Sequence, residues 1–171
     1  GSSTKFAKYD NKSAHSPYAW SKITNTNLIN SYSKWFGLNY AITYFYNVYG
    51  DNEISEGKYS TVVGKFISLA KQNQVLPITR PGTQKRNFTH VDDIVNGLEI
   101  VALKGNGDGF GIGSNKAYSI IELANLIGGK IKFQPRVKGN RNSAIVKTEK
   151  IRKLGWSTKH KLRLYIKSKI N

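Results

Sequence analysis

The sequence predicts an α/β fold, and three observations carry that prediction. Stretches with helical caps alternate along the chain with short apolar, β-branched stretches, the pattern of strands covered by helices. The 171 residues are 39% hydrophobic and 22% charged, enough apolar content for a packed core. No internal repeat and no long Pro-, Gly- or Ser-rich linker interrupts the alternation.

Residues 16–36 read as the first helix: Ser16 is a candidate N-cap, Pro17 takes the first helical position and Gly37 ends the run. Residues 38–46 are apolar, aromatic and β-branched, as a buried strand requires. Residues 60–72 read as a helix, 75–79 as a short strand and 86–90 as another. Asp92 and Asp93 then open a helix through Leu103, where carboxylates suit the positive end of the helix dipole. Residues 110–113 read as a short strand. Ser119 and Glu122 form a capping box for a helix to Ile127, closed by Gly128. Residues 147–154 predict a short helix closed by Gly155, and residues 162–170 a last one. Gly107, Gly109, Gly111 and Gly113 come nearest to a phosphate-cradling glycine turn. No strong strand precedes them and no long helix follows at once, so they read as a loop and a short strand.

Composition removes several kinds of chemistry. Without cysteine there is no disulfide framework, thiol nucleophile or thiolate metal site. His15, His90 and His160 lie far apart in sequence, which predicts no metal site. No apolar run approaches 18 residues, so no membrane span is expected, and the cytoplasm is the default compartment. Lys and Arg number 27 against 10 Asp and Glu, and residues 121–171 alone hold 14 basic and 2 acidic side chains. Such a balance fits a basic polyanion-binding domain without catalysis, a solvated Lys-rich surface, or an anionic small ligand such as a nucleotide. No nucleic-acid module accompanies the charge, so a nucleic-acid partner is not expected.

The chemistry concentrates at Tyr18 and Lys22. Four-residue spacing places both side chains on one helix face. An ammonium beside a phenol favours the phenolate, the form that can take a proton from an alcohol. Tyr165 and Lys169 repeat the spacing, and there an ordinary helix face is expected. What sets Tyr18 apart is its place at the start of a Pro-led helix, preceded by Gly1-Ser2-Ser3-Thr4.

Four blocks in order extend that setting. Ser2-Ser3 and Ser16-Pro17-Tyr18-Ala19-Trp20-Ser21-Lys22 are followed by Tyr46-Asn47-Val48-Tyr49-Gly50, then by the run from Arg80 through Arg86 to Ile94, and by Leu154-Gly155-Trp156. The series resembles the extended short-chain dehydrogenases that act on nucleotide sugars, most of all their NAD-dependent epimerases of the UDP-glucose 4-epimerase kind. The resemblance implies the C-terminal part of a Rossmann-type parallel sheet plus a smaller α/β substrate-binding domain. Residues 1–50 would be the second half of the dinucleotide-binding domain. Residues 51–171 would be mainly the nucleotide-sugar domain, with 86–105 returning to the Rossmann part.

The resemblance also implies roles. Ser3 would hold the substrate hydroxyl, Tyr18 would be the base, and Lys22 would bind the nicotinamide ribose while favouring the phenolate. Tyr46 would meet the nicotinamide end of NAD, and Asn47 the sugar or its diphosphate. Arg86 would pair with the diphosphate through the fork geometry that suits phosphate oxygens. Leu76, Pro77 and Ile78 sit where the family packs the uracil, with a core strand as the equal alternative. Tyr44 stands where the family has an Arg, and the late phosphate-binding Arg is absent from its usual place, where Lys138 or Arg141 would stand in. Thr4-Lys5 follows Ser3 where dehydratases carry an acidic pair, which favours epimerase over dehydratase, with an oxidoreductase on the same scaffold as the open alternative. Two further expectations follow from the resemblance: a homodimer through the Tyr18 helix, and a chain that is a C-terminal part, inactive alone.

Overall fold

The computed structural model of the chain describes residues 17–57, 59–136 and 146–170. Helix α1 (Pro17–Phe36) begins with Pro17 as expected and is closed at Gly37, whose φ of 68° only a residue without Cβ adopts readily. Strand β1 (Ala41–Phe45) is shorter than the predicted 38–46, because Leu38 and Asn39 remain exposed in the turn after the helix. β2 (Val48–Tyr49) precedes α2 (Val62–Lys71), whose N-cap Thr61 accepts from the Gly64 N–H at 3.2 Å. β3 (Leu76–Thr79) follows within a residue of its predicted bounds.

The predicted strand 86–90 is two strands. β4 (Lys85–Asn87) pairs antiparallel with β7 (Ala117–Ser119), whereas β5 (Thr89–His90) pairs parallel with β2. Phe88, buried between them, turns the chain from one pairing to the other. α3 (Val91–Lys104) is capped by His90, and β6 (Gly107–Ile112) lies parallel to β1. α4 (Ile120–Ile127) carries the predicted capping box, with the Ser119 hydroxyl accepting from Glu122 N–H and the Glu122 carboxylate accepting from Ser119 N–H. β8 (Ile131–Gln134), parallel to β3, carries no sequence signal because most of its side chains are exposed. The predicted helix 147–154 contracts to α5 (Glu149–Arg152), and α6 (Leu162–Ile170) has the expected bounds.

Two cores hold these elements. The first gathers Phe66, Leu76, Ile78, Leu123 and Ile166, from α2, β3, α4 and α6. The second gathers Ile94, Val101, Phe110, Ile112, Ile151 and Trp156, so β6 and α5 pack with α3 against β1. Gly97 makes this second core possible: a Cβ there would stand 2.8 Å from an Ile112 methyl and 3.0 Å from the Trp156 indole nitrogen. That indole donates to the Asp93 carbonyl at 2.9 Å, tying the segment after α5 to α3. No helix among the described residues is long and apolar enough to cross a membrane.

Candidate functional site

Helix α1 buries only Ala19, Ile23 and Thr26, a stripe one helical face wide. Tyr18 and Lys22 flank that stripe, and both stay in solvent, Tyr18 at 61% exposure. The Lys22 ammonium stands 5.5 Å from the centre of the Tyr18 ring. Together with Thr26, Thr43 and Phe45 they line a cavity of about 310 Å³ between α1 and β1. Among the described residues no carboxylate pairs with Lys22. A phenol and an unpaired ammonium thus share the mouth of one cavity, where an alcohol could lose its proton to the first beside the positive charge of the second.

The other predicted residues fall into three groups. Asn47 reaches the surface from the bend between β1 and β2, and Arg86 is partly exposed on β4. Asn47 has a φ of 37°, its amide donates to the Asn87 carbonyl at 3.1 Å, and its own carbonyl accepts from Thr89 N–H at 3.2 Å. Arg86 lies on β4 opposite Tyr118 and donates to the Lys85 carbonyl at 2.8 Å. Ser3, Lys138 and Arg141 lie outside the described residues.

The third group is mostly buried. Leu76 and Ile78 point into the first core and are wholly buried, because alternation along β3 sends both to one face; only Pro77 between them is partly open. Tyr46 is 2% exposed: its ring lies against Gly111 and Gly113, and its hydroxyl accepts from Lys147 N–H at 3.3 Å. Burial holds this phenol above its ordinary range, against the pull of the Lys147 N–H. Phe45, the exposed neighbour, lines the cavity beside Tyr18 instead. Two glycines of the run, Gly111 and Gly113, serve the same packing. A Cβ on Gly111 would sit 2.0 Å from the Lys147 carbonyl oxygen, so the residue admits a close crossing of two backbones.

Sequence separation proved a poor guide for the histidines. His90 and His160 stack with ring centres 4.3 Å apart and planes 20° apart. His160 Nδ1 lies 2.9 Å from the buried Asp93 carboxylate, which also accepts from the backbone N–H groups of Lys159 and His160 at 3.1 Å each. Asp93 therefore holds the segment before α6 rather than facing solvent at a helix end. Only its place beside Asp92, at the start of an apolar helix, could have drawn notice in the sequence.

Comparison with known proteins adds to this geometry. Residues 2–113 match the NAD dependent epimerase/dehydratase family. A putative UDP-glucose 4-epimerase of Methanocaldococcus jannaschii is 31% identical over 163 residues, covering 91% of this chain and 52% of that protein. A dTDP-D-glucose 4,6-dehydratase of Mus musculus is 31% identical over 170 residues, covering 91% of this chain and 46% of that protein. The chain thus spans about half the length of these relatives. The crystal structure of a UDP-glucose 4-epimerase from Thermotoga maritima, with UDP-glucose, superposes with a TM-score of 0.86 at 24% identity. It covers 98% of this chain and 60% of that one, a likeness of fold.

Proposed function

The chain belongs to the NAD dependent epimerase/dehydratase family, and from that premise we propose that it serves the NAD-dependent 4-epimerisation of a nucleotide sugar of the UDP-glucose/UDP-galactose type. The observation that carries the reading is the exposed Tyr18–Lys22 pair at one cavity mouth, with 5.5 Å between ammonium and ring. The family spans epimerases and dehydratases alike, and Lys5 in place of an acidic residue after Thr4 supports the former.

The residues present suit the nicotinamide and ribose end of NAD. An exposed ammonium offers three N–H donors to ribose hydroxyls, and the open cavity adjoins it. Gly111 and Gly113 are committed to packing against Tyr46 and offer no cradle for the pyrophosphate. When bound, NAD supplies the acceptor and later the donor of a hydride. Tyr18 takes the proton of the sugar 4-hydroxyl as C4 is oxidised. Lys22, one helical turn away, sets its positive charge 5.5 Å from the ring that accepts it. The 4-keto sugar turns over, C4 is reduced on its other face, and Tyr18 returns the proton. Arg86 holds the diphosphate in this reading and Asn47 the sugar or diphosphate. The exposed α1 face, with Trp35 at 67% and Phe36 at 72% exposure, is where a second copy would dock.

The test is product analysis. The whole gene product, given UDP-glucose and NAD, should yield the C4 epimer, and Tyr18→Phe should stop it. A 4-keto-6-deoxy sugar as the product would replace epimerase by dehydratase, and epimer formation undiminished in Tyr18→Phe would remove the site.

A further inference from the structure

The fold brings together a set of donor atoms that the reaction above does not use. The imidazoles of His90 and His160 and the carboxylate of Asp92 offer ligand atoms that all lie within 4.8 Å of one another. Asp92 Oδ2 stands 3.5 Å from His90 Nδ1 and 3.8 Å from His160 Nε2. We propose that these three residues bind one borderline divalent cation of the zinc class, at the junction between α3 and the segment that leads into α6.

Three features favour that ligand. The donor set is two imidazoles and one carboxylate, a combination suited to zinc and its first-row neighbours and poor for calcium or magnesium. His160 is held from behind: its Nδ1 faces the buried Asp93 at 2.9 Å, and Asp93 is itself fixed by the Lys159 and His160 N–H groups. A carboxylate behind a histidine sets the tautomer and turns the bare Nε2 outward, the usual support of a metal-bound imidazole. Here Nε2 is the atom on the Asp92 side. Asp92 is 67% exposed and, among the described residues, its side chain pairs with no lysine or arginine. It is free to swing.

The geometry also sets the cost. The carboxylate–imidazole separations exceed the edges of about 3.3 Å that follow from metal–ligand bonds of about 2.0–2.1 Å. Closing on an ion therefore tips the stacked rings and draws Asp92 inward. At His90 the ion competes with the Asp92 N–H, which now donates to Nδ1 at 3.2 Å and caps α3. The ion replaces one local cap by a bridge between two elements about 70 positions apart in the chain. Bridging α3, in the second core, to the approach of α6, in the first, should stiffen their junction.

The experiment is metal titration of the whole gene product, purified without a histidine tag and stripped with chelator. Zinc binding is followed by calorimetry and by thermal unfolding, and cobalt binding by its visible absorption. One saturable ion per chain is expected, with a rise in melting temperature that chelator reverses. His160→Ala should weaken zinc at least tenfold. Asp92→Asn, an exposed change that the fold tolerates, should weaken it by a similar factor and keeps the test open if His160→Ala unfolds. His15→Ala should change nothing. Absence of saturable binding overturns the proposal; so does zinc affinity unchanged in Asp92→Asn, or lost in His15→Ala. None of these readouts depends on epimerase activity, so either reading can fail without the other.

Discussion

Two helices of this chain carry the same spacing of tyrosine and lysine, and their side chains adopt nearly the same geometry. Lys22 stands 5.5 Å from the Tyr18 ring and Lys169 stands 5.4 Å from the Tyr165 ring. Their surroundings differ in every respect that chemistry uses. Tyr165 packs on Tyr49 with ring centres 5.1 Å apart, and burial, reinforced by the Glu53 and Asp51 carboxylates, pushes its phenol up to about 12. Lys169 is spent on Asp51, at 2.7 Å. Tyr18 and Lys22 have neither a packed ring nor a carboxylate partner among the described residues. A helical spacing fixes which side chains meet; the tertiary surroundings decide whether the pair is free to react.

The comparison can be broken most sharply at the two phenols. Tyr18→Phe should lower epimerase turnover by roughly 10²–10⁴-fold, the usual worth of a positioned acid or base, with nucleotide-sugar affinity kept. Tyr165→Phe should leave turnover unchanged. Steady-state kinetics on the two variants side by side checks this, and equal losses would sink the distinction.

A second test asks whether α6 is a packing helix and α1 a working surface. Ile166→Ala, in the first core, should cost about 2–5 kcal/mol in a denaturant titration. The exposed Leu28→Ala on α1 should stay within about 0.5 kcal/mol. Arg86→Ala comes next. It should weaken UDP-sugar binding by about 2–3 kcal/mol, as for a truncated charge-assisted hydrogen bond, with NAD binding unaltered. Parallel loss of both ligands would make Arg86 a structural residue.

The smallest effect concerns the neighbourhood of Tyr165. Burial raises Glu53 above the ordinary carboxyl value, against the hydroxyl of Thr61 and nearby backbone N–H groups that favour the charged form. The folded chain therefore holds this proton to higher pH than the unfolded chain does. Stability should fall as pH rises from about 4.5 through the raised value. Glu53→Gln should flatten that part of a melting-temperature profile between acid and neutral pH. An unchanged slope would exclude Glu53 as its source.

Much of the fold was legible because its signals are local. Pro17 with Gly37, and Ser119 with Glu122 and Gly128, bound α1 and α4 through contacts among residues a few positions apart. The Tyr18–Lys22 pair was legible for the same reason, since a helix brings residues four apart together wherever it lies. Arg86 could be named from its motif, but not its place on β4 opposite Tyr118.

What the sequence determined by itself is the α/β alternation, the ends of α1, α4 and α6, and the side chains that helical spacing brings together. Only the tertiary structure decided which of them remain available. It split residues 86–90 between two partner strands, turned Leu76 and Ile78 into the core, and closed Tyr46 behind Gly111 and Gly113. It also set His90 against His160. The physical reason is common to all four. Capping and helical spacing act within a turn or two of backbone, whereas burial and pairing are contacts between segments many positions apart. No local pattern reports those contacts until the two segments meet.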